Sequence, residues 1–161
     1  MGITVGQAAP DFKLPNTEKV FFTLSQFKGK SNVLVLFFPL AFTGTCTKEL
    51  CGVRDDIARY SKAGAEVLAI SIDTPQTLNR YKEEQSLPFQ VLSDFNKEAI
   101  TAYGNAYEVF SCGLKGVAKR SAYVVDKNGI VQYAEVLENA GEIPNFEAIN
   151  KVIESLTPQT V

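Results

Sequence analysis

The sequence contains no histidine. That absence removes Ser-His-Asp and Cys-His nucleophile pairs, histidine-ligated zinc and any imidazole general base. Cysteine is scarce as well, with Cys46, Cys51 and Cys112 the three thiols in 161 residues. Three are too few for the disulfide framework of a small secreted domain, and no CxxC pair offers a zinc site. No Lys/Arg-rich run stands out and the net charge is −2, which argues against nucleic acid or an anionic membrane as partner. The longest apolar run, Val33 to Phe38 with its continuation through Pro39 to Phe42, is too short to span a bilayer. The N-terminal residues carry neither a basic stretch nor a long apolar core, so no signal peptide is expected. Gly6 stands where N-myristoylation wants Ser or Thr. A cytoplasmic protein is expected.

What is present suits one globular domain over residues 1–161. Hydrophobic residues at 45% and charged residues at 21% supply a sizeable core and argue against wholesale disorder. An irregular lead-in with turn signals at Pro10 and Pro15 precedes a short strand over 20–24 and a helical turn closed by Gly29. Val33 to Phe38 predicts a strand buried on both faces. A helix follows over about 45–63. Leu50, Val53, Ile57 and Tyr60 form its apolar face, Cys46 shares that stripe, and Lys48, Glu49, Arg54 and Asp55 lie on the others. Strands are expected over 67–72 and 89–92. A helix over 76–85 starts from Asp73-Thr74-Pro75, and another over 96–103 has Asp94 placed to cap it. Residues 104–119 read as a long, functional loop. A hairpin joins 121–126 to 130–136 through Asn128-Gly129, and a last helix runs from Pro144-Asn145 to about Leu156 before a frayed tail over 157–161. The order β-α-β-α-β-α-β-β-α predicts a thioredoxin-like α/β fold. Its central sheet is mainly parallel, flanked by helices, and mixed where the hairpin joins.

The chemistry concentrates at Cys46. Only a thiolate attacks, and a free thiol with a pKa of about 8.5 is mostly protonated at neutral pH. Cys46 falls in the first turn of a helix, where unpaired N–H groups favour an anion. It also follows a strand-to-loop junction, the usual place for sites in α/β sheets. Thr43 offers a hydroxyl three residues earlier, and Pro39 walls the site without adding a donor. A thioredoxin-like disulfide reductase would want a second cysteine at the helix start, and Thr47, Lys48 and Glu49 follow Cys46 instead. A non-enzymatic, holdase-type protein keeping this fold is the other alternative.

Pro39-x-x-x-Thr43-x-x-Cys46, with Glu49 on the same helix and Arg120 just before a late strand, resembles the active-site motif of the peroxiredoxins. The resemblance runs from Pro10-Asp11-Phe12 to the last helix. The stretch from Pro39 to Leu50 looks most like the AhpE-like and bacterioferritin-comigratory-protein branches. It implies a thiol-dependent peroxidase in which Cys46 is the peroxidatic nucleophile. Thr43 and Arg120 would hold the peroxide, Glu49 would orient Arg120, and no metal or organic cofactor is required. It also implies a thiol reductant such as thioredoxin or glutaredoxin, and a homodimer. Cys51 stands at a spacing used for resolution in some relatives, with Cys112 or an external thiol as the alternatives. In an intact helix five residues turn by roughly 500°, so the Cys46 and Cys51 side chains diverge by about 140°. Joining them requires the helix to unwind.

Overall fold

The computed structural model describes residues 2–156. The expected fraying over 157–161 lies outside the described residues. Apolar β-branched runs form the central sheet: β3 (Asn32–Phe37), β4 (Ala65–Ser71), β5 (Gln90–Ser93), β6 (Ser121–Val125) and β7 (Val131–Val136). Their spatial order is β5-β4-β3-β6-β7. The β3–β4 and β4–β5 pairs are parallel, whereas β3–β6 and β6–β7 are antiparallel. The sheet is thus mixed, with the hairpin strand β6 entering beside β3. Two short strands in the lead-in, β1 (Lys13–Pro15) and β2 (Phe21–Thr23), pair with each other. The first has no period-2 signal of its own, and its pairing is supplied by β2.

Every residue of β3 is buried, and the pleat divides them. Leu34, Leu36 and Phe38 join the core that covers one face. That core is completed by α1 (Gly44–Asp55), α2 (Ile57–Lys62), α3 (Pro75–Gln85) and α5 (Phe146–Leu156). Val33, Val35 and Phe37 face the other side, where α4 (Glu98–Tyr103) packs with Phe12, Leu14 and Leu24 of the lead-in. This is the thioredoxin-like arrangement.

The helix expected over 45–63 is broken in two. Asp56, at φ −110° and ψ 15°, leaves helical geometry between α1 and α2. The apolar stripe continues across the break because Tyr60 is buried and Ile57 half-buried. Glu49, which lies off the apolar stripe, is nonetheless buried, where it pairs with Arg120. Asp94 caps α4 by accepting from Ala99 N at 3.1 Å and Ile100 N at 2.8 Å. In the β6–β7 turn only Gly129 takes positive φ, at 81°. The Asp126 carboxylate accepts from Asn128 N and Ile130 N and completes that turn.

Residues 104–119 are an arm rather than a structureless loop. Ala106 bridges Ala118, Tyr107 N donates to Val117 O, and Phe110 N donates to Leu114 O. A single 3₁₀ turn, Ser111–Gly113, forms its tip.

Candidate active site

β3 ends at Phe37, the chain turns through Pro39 to Thr43, and α1 begins at Gly44. Phe42 sits in the left-handed region at φ +64°, an uncommon conformation for a bulky residue. Thr43 is the N-cap residue of α1, but its side chain makes no capping bond. Its hydroxyl donates instead to the Leu40 carbonyl at 2.7 Å. The N–H groups at a helix start have no acceptor within the helix, and this cap hydroxyl takes none of them. Cys46 lies in that first turn, about 1% exposed.

Arg120 reaches Cys46 because β6 is antiparallel to β3. Ser121, the first residue of β6, pairs with Phe37, the last residue of β3. The residue before β6 therefore meets the loop after β3. The guanidinium is buried and shared among three acceptors. Nη2 donates to Cys46 Sγ at 3.3 Å and to the Ala140 carbonyl at 2.9 Å, and Nη1 donates to Glu49 Oε1 at 2.8 Å. Burial works against the Arg120 charge, but Glu49 and Cys46 outweigh it and hold the guanidinium more firmly protonated. Burial also lifts the Glu49 carboxyl to about 7, against the pull of Arg120. Glu49 is inside the protein because it is paired with Arg120 there.

Pro39, Thr43, Gly44, Thr45, Cys46, Phe110, Arg120 and Ala140 line one small pocket of about 140 Å³. Helix-start N–H groups, a guanidinium and a sulfur thus converge in a space fit for a small, polarisable bond. A larger hollow lies elsewhere, between Leu24–Lys28 and Val125–Ile130, and no cysteine lines it.

The AhpC/TSA family model matches residues 5–134 of the chain. The chain belongs to the AhpC/TSA family, the peroxiredoxins. This peroxiredoxin is 36% identical over 155 residues to alkyl hydroperoxide reductase E of Mycobacterium tuberculosis, across 96% of this chain and 99% of that one. It is 40% identical over 131 residues to the chloroplastic peroxiredoxin Q of Oryza sativa subsp. japonica, covering 81% of this chain and 58% of that one. Among solved structures, the peroxiredoxin-like protein from Aquifex aeolicus superposes with a TM-score of 0.88 at 22% identity, over 97% of this chain and 89% of that chain. That likeness concerns the fold.

Of the residues picked out by sequence, Pro39, Thr43, Cys46, Glu49 and Arg120 come together in this peroxiredoxin. Cys51 and Cys112 do not join them. Cys51 lies on the side of α1 that faces α3, half-buried, with its Sγ–H donating to Gln85 Oε1 at 3.4 Å. Cys112 is exposed at the tip of the arm, with φ +61°. The Ala140 carbonyl escaped the sequence, because a backbone oxygen has no side-chain signature. Phe110, one of the aromatic residues that the sequence offers for either a pocket wall or core packing, lines the pocket. No described helix is long and apolar enough to cross a membrane.

Proposed function

We propose that Cys46 is the peroxidatic nucleophile of a single-domain enzyme, and that Cys51 resolves its sulfenic acid. Peroxiredoxins are thiol-dependent peroxidases, and this chain is one. The observation that carries the assignment is the Arg120 Nη2–Cys46 Sγ contact at 3.3 Å inside the pocket also lined by Thr43. The Cys46 thiolate attacks the terminal oxygen of ROOH along the O–O axis. An S–O bond forms and the O–O bond breaks. Cys46 becomes a sulfenic acid, and the expelled RO⁻ takes a proton to leave as alcohol, or as water when R is hydrogen.

Each neighbour has a role that fits its geometry. The Thr43 hydroxyl spends its proton on Leu40, so its oxygen is left to accept the O–H of the attacked peroxide oxygen. Arg120 balances the sulfur charge and presents a fixed fork of donors to the substrate. The unclaimed N–H groups around Thr45 and Cys46 stabilise charge as it moves onto the leaving oxygen. Glu49 and the Ala140 carbonyl hold the guanidinium in place. Pro39 is a wall with no N–H to compete. No metal or organic cofactor enters the scheme.

Resolution joins Cys51 Sγ to Cys46 Sγ with loss of water from the sulfenic acid, and α1 has to unwind between them. Cys112 is a second reading, favoured by its place two residues beyond the pocket-lining Phe110. A thioredoxin or glutaredoxin thiol would return the enzyme to its dithiol state in the cytoplasm. The exposed Phe42 and Val109, on the loop and arm that border the pocket, support a homodimer. Intact mass and peptide mapping after one equivalent of peroxide test the scheme. A Cys46–Cys51 disulfide, absent in Cys51→Ser, is expected. The same disulfide-sized mass loss persisting in Cys51→Ser would transfer the role to Cys112. Peroxide turnover surviving Cys46→Ser would sink the whole assignment.

A further inference from the structure

We infer that Asp73 is a positioning residue for this reaction, acting through the Ala41 amide to hold Thr43 at the pocket; the inference rests on the roles given above to Cys46 and Thr43. Asp73-Thr74-Pro75 reads as a helix start, and Thr74 alone performs that task, accepting from Thr77 N through its hydroxyl. The Asp73 side chain points elsewhere. Its Oδ2 accepts the Ala41 N–H at 2.8 Å, across 32 residues of sequence. The same oxygen accepts the Ser71 hydroxyl at 2.6 Å. Asp73 N–H donates back to Ser71 Oγ at 3.2 Å, and the Asp73 carbonyl accepts the Ser93 hydroxyl at 2.6 Å. Ser71 and Ser93 are the buried last residues of β4 and β5. Two strands of the sheet thus fix Asp73, β4 at its carboxylate and β5 at its backbone carbonyl, and the carboxylate fixes the loop.

The loop needs that hold. Phe42 occupies the left-handed region at φ +64°, which L side chains leave when nothing restrains them. Relaxation there would swing Thr43, the next residue, away from the sulfur. Fastenings surround Phe42: Ala41 is bonded to Asp73, the Phe42 ring packs on Tyr81 at 5.0 Å, and Thr43 is bonded to Leu40. Only the Asp73 bond involves a charged acceptor, the stronger class of hydrogen bond. Asp73 does not line the pocket and touches no reacting atom.

The test compares two reactions of Cys46 in Asp73→Ala and Asp73→Asn: stopped-flow reduction of hydrogen peroxide, and alkylation by iodoacetamide. Alkylation needs a nucleophilic sulfur but no placed Thr43. Asp73→Ala is expected to slow peroxide reduction about 10- to 100-fold, the scale of small misplacements, while alkylation holds within about three-fold. Asp73→Asn still offers an oxygen to the Ala41 amide and restores the ratio of the two rates. An unchanged ratio in Asp73→Ala, equal loss of both rates, or no rescue by Asn overturns the inference. Should Asp73→Ala fail to fold, hydrogen exchange in the unsubstituted protein decides. The Ala41 amide is expected to be protected, and exchange at the rate of a free amide overturns the inference. Cys46→Ser is run alongside. Peroxide reduction persisting in that variant defeats the peroxidatic reading, whereas failure at Asp73 alone leaves it standing.

Discussion

At the scale of single residues, the site turns on one guanidinium shared between a carboxyl and a sulfur. Arg120 is legible in the sequence only through the motif it completes; alone it is an ordinary cation before a strand. Glu49 is harder to read, because helical periodicity places it on a polar face while its ion pair draws it inside. Removing Arg120 tests that pairing. Arg120→Ala strands Glu49 in the core, and a stability loss of about 3–5 kcal/mol in denaturant titration is expected. The same variant is expected to lose about 100-fold or more in peroxide rate, as for removal of a preorganised donor. Glu49 also carries a pH signature. Its folded value of about 7 lies above the ordinary carboxylate value of 4.5. Between these limits the unfolded chain releases a proton that the folded chain keeps, so the Glu49 contribution to stability falls as pH rises through the window. Urea titrations of the parent and Glu49→Gln at the two ends of the window are expected to show the parent losing ground at the upper end. A pH-independent difference would contradict the buried, lifted carboxyl.

At the scale of elements, α1 is held to α3 along a polar seam. Thr47 Oγ1 lies 2.9 Å from the Tyr81 hydroxyl, Cys51 meets Gln85, and Arg54 Nη1 donates to the Gln85 carbonyl at 2.7 Å. Burial pushes Tyr81 up to about 12, so it meets Thr47 as a neutral hydroxyl. This seam lies on the flank of α1 that periodicity marks as polar, and its partners come from a helix some thirty residues away, so nothing local announces it. Helix existence was readable from the Leu50-Val53-Ile57-Tyr60 stripe; the break at Asp56 was not, because the stripe runs on through it. If α1 unwinds during resolution, the seam resists. Tyr81→Phe removes one hydrogen bond worth about 1 kcal/mol. Disulfide formation after a peroxide pulse is therefore expected to quicken about five-fold, measured by quenched-flow alkylation. An unchanged rate would show that the Thr47–Tyr81 bond survives the step.

At the scale of the whole molecule, the site exists because the sheet is mixed. In an all-parallel sheet the start of β6 would lie at the opposite edge from the end of β3, and Arg120 would be a strand length away from Cys46. The hairpin signal at Asp126-Lys127-Asn128-Gly129 announced that β6 and β7 are antiparallel to each other. Nothing local announced that β6 also runs against β3, since strand order is decided by packing on both faces. The core tests this division. Leu36 and Phe37 are adjacent, fully buried and assigned to opposite faces. Leu36→Ala and Phe37→Ala are each expected to cost about 2–5 kcal/mol. Contacts on opposite faces are not shared, so the two losses should add within about 0.5 kcal/mol in chemical denaturation. Strong non-additivity would mean that the two faces respond as one.

The position of Glu49 has a thermodynamic corollary. It stands between Cys46 and Cys51, so drawing the two sulfurs together takes Glu49 and the first turn of α1 away from Arg120. A crosslink ordinarily stabilises a fold by restricting the unfolded chain. If Cys51 resolves Cys46, closing that short loop strands a buried cation, and the disulfide form is expected to melt below the dithiol form. That inversion would be a driving force. Each 1.4 kcal/mol by which oxidation weakens the fold raises the reduction potential of the pair by about 30 mV. The folded state would thus act as a spring set against its own disulfide, making the oxidised enzyme a ready substrate for the thiol that resets it.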